Sequence, residues 1–157
     1  MKFPQLSLGL LAALTTSTAA TEPPSAPQSY CPPRPATPAK QRAILEELTQ
    51  TLLIEKNFGD GVPRFFAEDY IQHEPSALSG RGNALNALLS LPAAVKYVPV
   101  HKGVDNDHAW VFERMEVPGA ETMAVAEFFR FNGTCIQEHW NVYMTKPPNS
   151  TNPLPLW

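Results

Sequence analysis

The chain has 157 residues, 17 of them proline, and a formal net charge of −3 at pH 7. That length suits a single domain with one core. The mildly acidic balance and the lack of a basic cluster give no reason to expect nucleic acid as a partner.

The N-terminus reads as an export signal over residues 1–20. Lys2 supplies the positive start, Leu6 to Leu14 the apolar run, and Thr18-Ala19-Ala20 a small-residue cleavage site. The run is too short to span a bilayer, and no later segment approaches that length, so the mature protein is expected outside the cell and off the membrane. Residues 21–36 form a proline-rich arm, with seven prolines between Pro23 and Pro38. Such a stretch builds neither a helix nor a sheet ladder, and an extended arm is expected. Residues 148–157 are similar and are read as a flexible tail, which leaves residues 37–147 as the domain.

Thr37-Pro38 opens the first helix as cap and first-turn proline. Ile44, Leu45, Leu48, Leu52 and Leu53 follow at helical spacing, with Glu46, Glu47 and Gln50 outside. Asn57 to Gly61 is expected to end it, a shorter helix to carry Phe65 and Phe66, and a third to cover Asn83 to Leu91. The second half changes period. Val95–Lys102, His108–Val117, Thr122–Phe131 and Thr134–Thr145 read as strands, and Pro99 places the first of them at an edge or a bulge. Helices followed by strands predict an α+β fold, about three N-terminal helices covering a curved antiparallel β-sheet.

Two cysteines remain, Cys31 in the arm and Cys135 in the domain. In an oxidising compartment the simplest pairing is one disulfide stapling the arm to a hairpin. Closing a loop of that length stabilises by ~4–5 kcal/mol in the chain-entropy view. Separate thiols or an intermolecular bridge are the alternatives. Asn132-Gly133-Thr134 and Asn149-Ser150-Thr151 are N-glycosylation sequons, meaningful in a eukaryotic secretory protein.

Two segments carry a family resemblance. One is Tyr70-Ile71-Gln72-His73-Glu74-Pro75, followed by Gly80-Arg81-Gly82. The other runs from Glu127-Phe128-Phe129-Arg130 through Asn132-Gly133 to Glu138-His139-Trp140-Asn141. Together they resemble the SnoaL-like polyketide cyclases of the nuclear transport factor two-like superfamily, over about residues 40–145. The resemblance implies a cone-like half barrel with a small ligand in its mouth, no metal and no organic cofactor, and often a homodimer built through the outer sheet face. The family-type reaction removes a proton next to a carbonyl and closes a ring by intramolecular aldol attack. This sequence departs from the family at Asn141, where Asp is usual, at Glu74, where Asn is usual, and at Glu127, which replaces Asp.

Strand parity bears on the site. Met123, Val125, Glu127 and Phe129 share one face of their strand, and His139, Asn141 and Tyr143 share one face of the next. A two-residue Asn132-Gly133 turn would pair Glu127 with Glu138 and send His139 to the other side. A three-residue loop with Gly133 in a bulge pairs Arg130 with Thr134 and brings Val125 opposite His139 and Met123 opposite Asn141. The resemblance favours the bulge, which gathers Glu127, His139 and Asn141 into one pocket.

In that pocket Glu127 and His139 are the expected proton carriers. His73 and Asn141 would position a carbonyl, with Tyr143, Met123, Val125 and Phe129 as lining. Desolvation among Met123, Val125 and Phe129 would raise the Glu127 pKa, as suits a carboxyl exchanging protons near neutrality. Asn141 takes up no proton, though it donates and accepts hydrogen bonds. The chain is thus either a cofactor-independent cyclase or isomerase relying on Glu127 and His139, or a non-catalytic module that binds a hydrophobic carbonyl-bearing metabolite. Epoxide opening would call for an Asp–Arg–Asp arrangement that Arg114 and Arg130 do not readily complete. Bland roles are available too: His73 as a loop hydrogen-bonder, Glu127 and Arg130 as an ordinary acid and base, and Trp110, Phe128 and Trp140 as core or dimer contacts. His101 and His108 read as surface residues, and the histidine spacing matches no metal motif.

Overall fold

The computed structural model describes residues 28–157. The export signal and the start of the arm lie outside the described residues. Thr37 caps α1 (Pro38–Leu48) by accepting a hydrogen bond from the Lys40 N–H at 3.2 Å, with Pro38 in the first turn. The helix does not stop at Leu48 but widens into a π-helical turn, Thr49–Ile54, which buries Thr49, Thr51 and Leu52. Asn57 precedes α2 (Phe58–Phe65) instead of ending α1, and Gly59, Gly61 and Pro63 lie inside that short helix. Gly61 lies close to the Leu52 side chain, which would have to shift to admit a Cβ there. The third helix, α3, spans Arg81–Leu89.

Phe66 belongs not to a helix but to β1 (Phe66–Gln72), a strand that its local pattern did not announce. The others are β2 (Lys96–Asp105), β3 (His108–Glu116), β4 (Met123–Asn132) and β5 (Cys135–Thr145). They form one five-stranded sheet in the order β1-β5-β4-β3-β2. The sheet is mixed and not purely antiparallel, because β1 runs parallel to β5. Pro99 sits in β2 at the sheet edge, beside a register shift between Pro99 and His101, as a residue without an N–H demands.

The β4–β5 register differs in detail from expectation. The turn is tight, with Asn132 opposite Cys135 and Gly133 at φ 57°. The irregularity lies in β5, where Gln137 is the extra residue between the pairs Phe131–Ile136 and Arg130–Glu138. Phe129 therefore faces His139, Glu127 faces Asn141 and Val125 faces Tyr143. The pairs move by four residues, an even number, and the faces are unchanged, because a single bulge anywhere before His139 restores the same parity.

The arm from residue 28 onward packs on the domain. Tyr30 is buried in the core, and Cys31 is bonded to Cys135 across 104 residues. The Thr134 N–H donates to Arg34 O at 2.9 Å, and the Thr134 hydroxyl donates to Tyr30 O at 2.6 Å. A Cβ on Gly133 would lie 2.0 Å from Arg34 O, so this contact admits only glycine. The tail curls back on itself, with Lys146 Nζ donating to Pro153 O at 2.8 Å and Leu154 O at 2.7 Å. Asn132 and Asn149, the sequon residues, are both exposed. Among the described residues no helix is long and apolar enough to cross a membrane.

Candidate functional site

The helices and the inner face of the sheet enclose a cavity of about 440 Å³, within the range of small-molecule sites. Leu48, Leu52, Leu53 and Phe58 supply one wall from α1, its π turn and α2, and Ala84 and Leu88 come from α3. Leu52 and Leu53 both come from the π turn. Polar groups enter from the sheet: Tyr70 and Gln72 of β1, Tyr97 of β2, Glu127 of β4, and His139, Asn141 and Tyr143 of β5. Glu74 stands at the mouth, its carboxylate accepting from the Ser76 N–H at 3.0 Å and hydroxyl at 2.6 Å. Among the described residues no lysine or arginine lines the cavity.

At the floor, Glu127 Oε2 and His139 Nε2 are hydrogen-bonded, and His139 Nδ1 lies 2.8 Å from Gln72 Oε1. Gln72 Oε1 also accepts the Glu74 N–H at 3.1 Å, which fixes it as the acceptor end of the amide. His139 Nδ1 must then carry a hydrogen, and Nε2 meets Glu127. One proton lies between Nε2 and the carboxylate whichever atom holds it, so the pair is either an ion pair or a neutral acid beside a neutral imidazole. His139 is 9% exposed and stacks on Phe129 with ring centroids 5.0 Å apart. The relay Gln72–His139–Glu127 is thus held from β1, β5 and β4 at once.

The other polar groups tune it. Burial, with a smaller contribution from the charge of Glu127, pushes the Tyr70 hydroxyl far above its ordinary range. Burial first, then Glu113 and Glu127, pushes Tyr97 up to about 12. Both phenols therefore stay protonated as hydrogen-bond donors at neutral pH. Asn141 lies opposite Glu127, and its Oδ1 is buried with no partner. Glu113, on the inner face of β3, is fully buried, and neither carboxyl oxygen has a partner among the described residues. Burial, and then the charge of Glu127, pushes it up to about 8.

The expected residues divide accordingly. Glu127, His139, Asn141, Tyr143, Val125 and Phe129 line one cavity. Met123 shares their face but lies beyond the cavity, where Met115 of β3, its partner in register, is a wall residue. His73 is not in the cavity. Its Nε2 lies 2.7 Å from Glu138 Oε1, and its ring stacks on Trp140 at 4.8 Å, on the outer side of the sheet. Side chains alternate along β1, so Gln72 points inward and its successor outward. Tyr97, Gln72 and Glu113 were not singled out from the sequence. The available signal for Glu113 was a lone carboxylate at an inward position of a strand whose other inward residues are Ala109, Val111 and Met115. Trp110 and Phe112 on the opposite face made the two faces of β3 look equally apolar. Among the described residues, no three His, Cys, Asp or Glu side chains gather as metal ligands would.

No family model matches the chain, and no curated protein matches it. Solved structures do. A candidate ketosteroid isomerase from Kribbella flavida superposes with a TM-score of 0.61 at 17% identity, over 71% of this chain and 84% of that one. An NTF2-like protein of unknown function from Cytophaga hutchinsonii gives 0.57 at 16% identity, over 71% and 93%. A candidate polyketide cyclase from Acidithiobacillus ferrooxidans gives 0.54 at 17% identity, over 66% and 87%. The chain thus has the NTF2-like fold, a scaffold shared by cyclases, isomerases and proteins of unknown function.

Proposed function

We propose that the protein is secreted and binds a small, hydrophobic, carbonyl-bearing molecule in the cavity, where Glu127 and His139 move a proton next to the carbonyl. The observation that carries this reading is the Gln72–His139–Glu127 relay in a largely apolar cavity. Glu127 as carboxylate takes the α-proton, and the resulting enolate oxygen is met by a neutral donor, the Tyr97 hydroxyl or the Asn141 amide. In an isomerisation the proton returns to another carbon. In a ring closure the enolate carbon attacks a second carbonyl, and the imidazolium N–H of His139 protonates the new alkoxide. No step needs a cofactor. Secretion is supported by the export-type leader of the sequence, the two exposed sequons and the Cys31–Cys135 bond.

A second reading, a carrier that leaves its ligand unchanged, is favoured by Asn141, which removes one acid/base group from the floor. Native mass spectrometry of the protein secreted from a eukaryotic host, followed by analysis of whatever it releases, supplies the compound for the test. The released compound is then incubated in D₂O with the native protein. Deuterium next to its carbonyl, or a cyclised product, supports the enzyme. Unaltered, undeuterated compound supports the carrier. Recovery of a ligand with no carbonyl would overturn both.

A further inference from the structure

Glu113 is a buried carboxyl of the cone that the reading above does not use. It is fully buried, both carboxyl oxygens lack partners, and it lies behind the cavity wall among Tyr97, Met115 and Val125. On β4 it faces Val125, and Glu127 is two residues further on, the diagonal neighbour on the same face. Such neighbours are about 7–8 Å apart at Cα, within reach of long side chains. On β2 it faces Pro99, beside the bulge between Pro99 and His101. A bulge of this kind re-aims side chains near sites.

The charged and titratable groups turned to this region can be named strand by strand: Tyr70 from β1, Tyr97 and Lys102 from β2, with Lys102 paired to Glu46 of α1, Glu127 from β4, and His139 and Tyr143 from β5. The helices contribute no charged group to the cavity; beyond the sheet only Glu74, at the mouth, does so. Two cations of the described residues share this face, and both are already engaged: His139 with Glu127, and Lys102, opposite Val111, with Glu46 of α1 at 2.5 Å. Two acids in one apolar cone with one imidazole cannot both be ionised cheaply.

We propose that Glu113 is a positioning residue for the Glu127–His139 pair, a second carboxyl that keeps its own proton and so leaves the imidazole wholly to Glu127. While Glu113 is neutral, the relay carries the one proton described above. When Glu113 ionises, its charge is felt at the imidazole, and the relay is no longer left to Glu127 alone. The idea rests on Glu127 and His139 as proton carriers, but its test reads the resting protein and needs no substrate.

The test is nuclear magnetic resonance of the full secreted chain, with ¹³C-labelled glutamate carboxyls and ¹⁵N-labelled histidine, across pH 4–10. One glutamate carboxyl is expected to titrate near pH 8, and the His139 ring nitrogens are expected to show an inflection at the same pH. In Glu113→Gln the carboxyl resonance disappears and the His139 inflection with it, whereas a merely structural residue would leave the His139 curve unmoved. Unchanged His139 curves in a folded Glu113→Gln variant would overturn the coupling. Should that variant fail to fold, the native chain still decides: a set of glutamate carboxyls all titrating below pH 6 would overturn the proposal. Deuterium exchange by Glu127 could survive either failure, and an unaltered ligand would overturn the enzymatic reading without touching the coupling.

Discussion

On the inner face of the sheet Glu113 lies fully buried without a partner, whereas on the outer face Glu138 is held by His73 at 2.7 Å and Arg130 at 2.6 Å. The inner carboxyl is pushed up by burial, and the outer one is held below its ordinary range by its hydrogen bond from His73, with Arg130 adding to it. The outer face also exposes its apolar residues. Trp110, Phe128 and Trp140 form one cross-strand row, with Trp110 38% and Phe128 45% exposed, and Trp110 lies over Gly103, where a Cβ would come within 2.8 Å of its ring. One face thus buries unsatisfied polar groups in an apolar shell, and the other shows apolar groups edged by satisfied charges. The first arrangement suits a site that acts on a molecule, and the second suits a surface that meets another surface.

The largest expected effect lies on the inner face. Glu127→Gln keeps the shape of the side chain but takes up no proton, so deuterium exchange into the released compound should fall by about 10²–10⁴-fold. Its melting temperature should stay close to that of the native chain. An unchanged exchange rate would remove Glu127 from the mechanism and assign the base to another group.

Next comes the pH dependence of stability. Glu113 has an ordinary pKa of 4.5 and a folded one of about 8. Between those values the folded chain keeps a proton that the unfolded chain releases, so stability falls as pH rises across that window and levels off above it. Glu113→Gln removes this slope. Denaturant melts should therefore show the variant gaining on the native chain by about 1.4 kcal/mol per pH unit from pH 5 to pH 8. The comparison across pH cancels the constant cost of the buried amide. Parallel pH curves would mean that Glu113 is already ionised in the folded state.

On the outer face, we propose the row Trp110–Phe128–Trp140 as the surface for a homodimer contact of the kind the family resemblance implies. Trp110→Ser combined with Phe128→Ser should convert a dimer to a monomer in sedimentation experiments, while the His139 titration stays as it was. A native chain that sediments as a monomer would remove the contact outright.

The contrast between the faces was only half legible in the sequence. Parity alone placed Glu127 with Phe129 and His139 with Asn141, because each pair is fixed within its strand. Relating the two strands required a bulge, and the sequence does not say whether it lies at Gly133 or Gln137; both give the same faces. β1 was missed because Phe66 to Gln72 carries Glu68 and Asp69 mid-strand, which breaks alternation, and its pairing with β5 is long-range and parallel. That omission misplaced His73: without a strand through Gln72 there was no alternation to send it outward. Glu113 and Tyr97 stayed hidden for a related reason. Their burial is created by helices packing over the sheet, and no local pattern records that.

The smallest effect tests the outer charges. Glu138 is held below the ordinary 4.5 by His73 first and Arg130 second, so the stability it contributes is present above pH 4.5 and is lost as pH falls below it through the folded value. Its side chain is 16% exposed, but that of His73 is 43% exposed, and solvent screening keeps the contribution to about 1 kcal/mol or less. Glu138→Gln should therefore be slightly less stable than the native chain at pH 6, and the gap should close as the pH is lowered towards 3. The variant should leave the His139 titration unmoved, since Glu138 and His139 are neighbours in sequence that point to opposite faces. A shift in His139 on changing Glu138 would show that charge is felt through the sheet, and the separation of the two faces would then be one of packing alone.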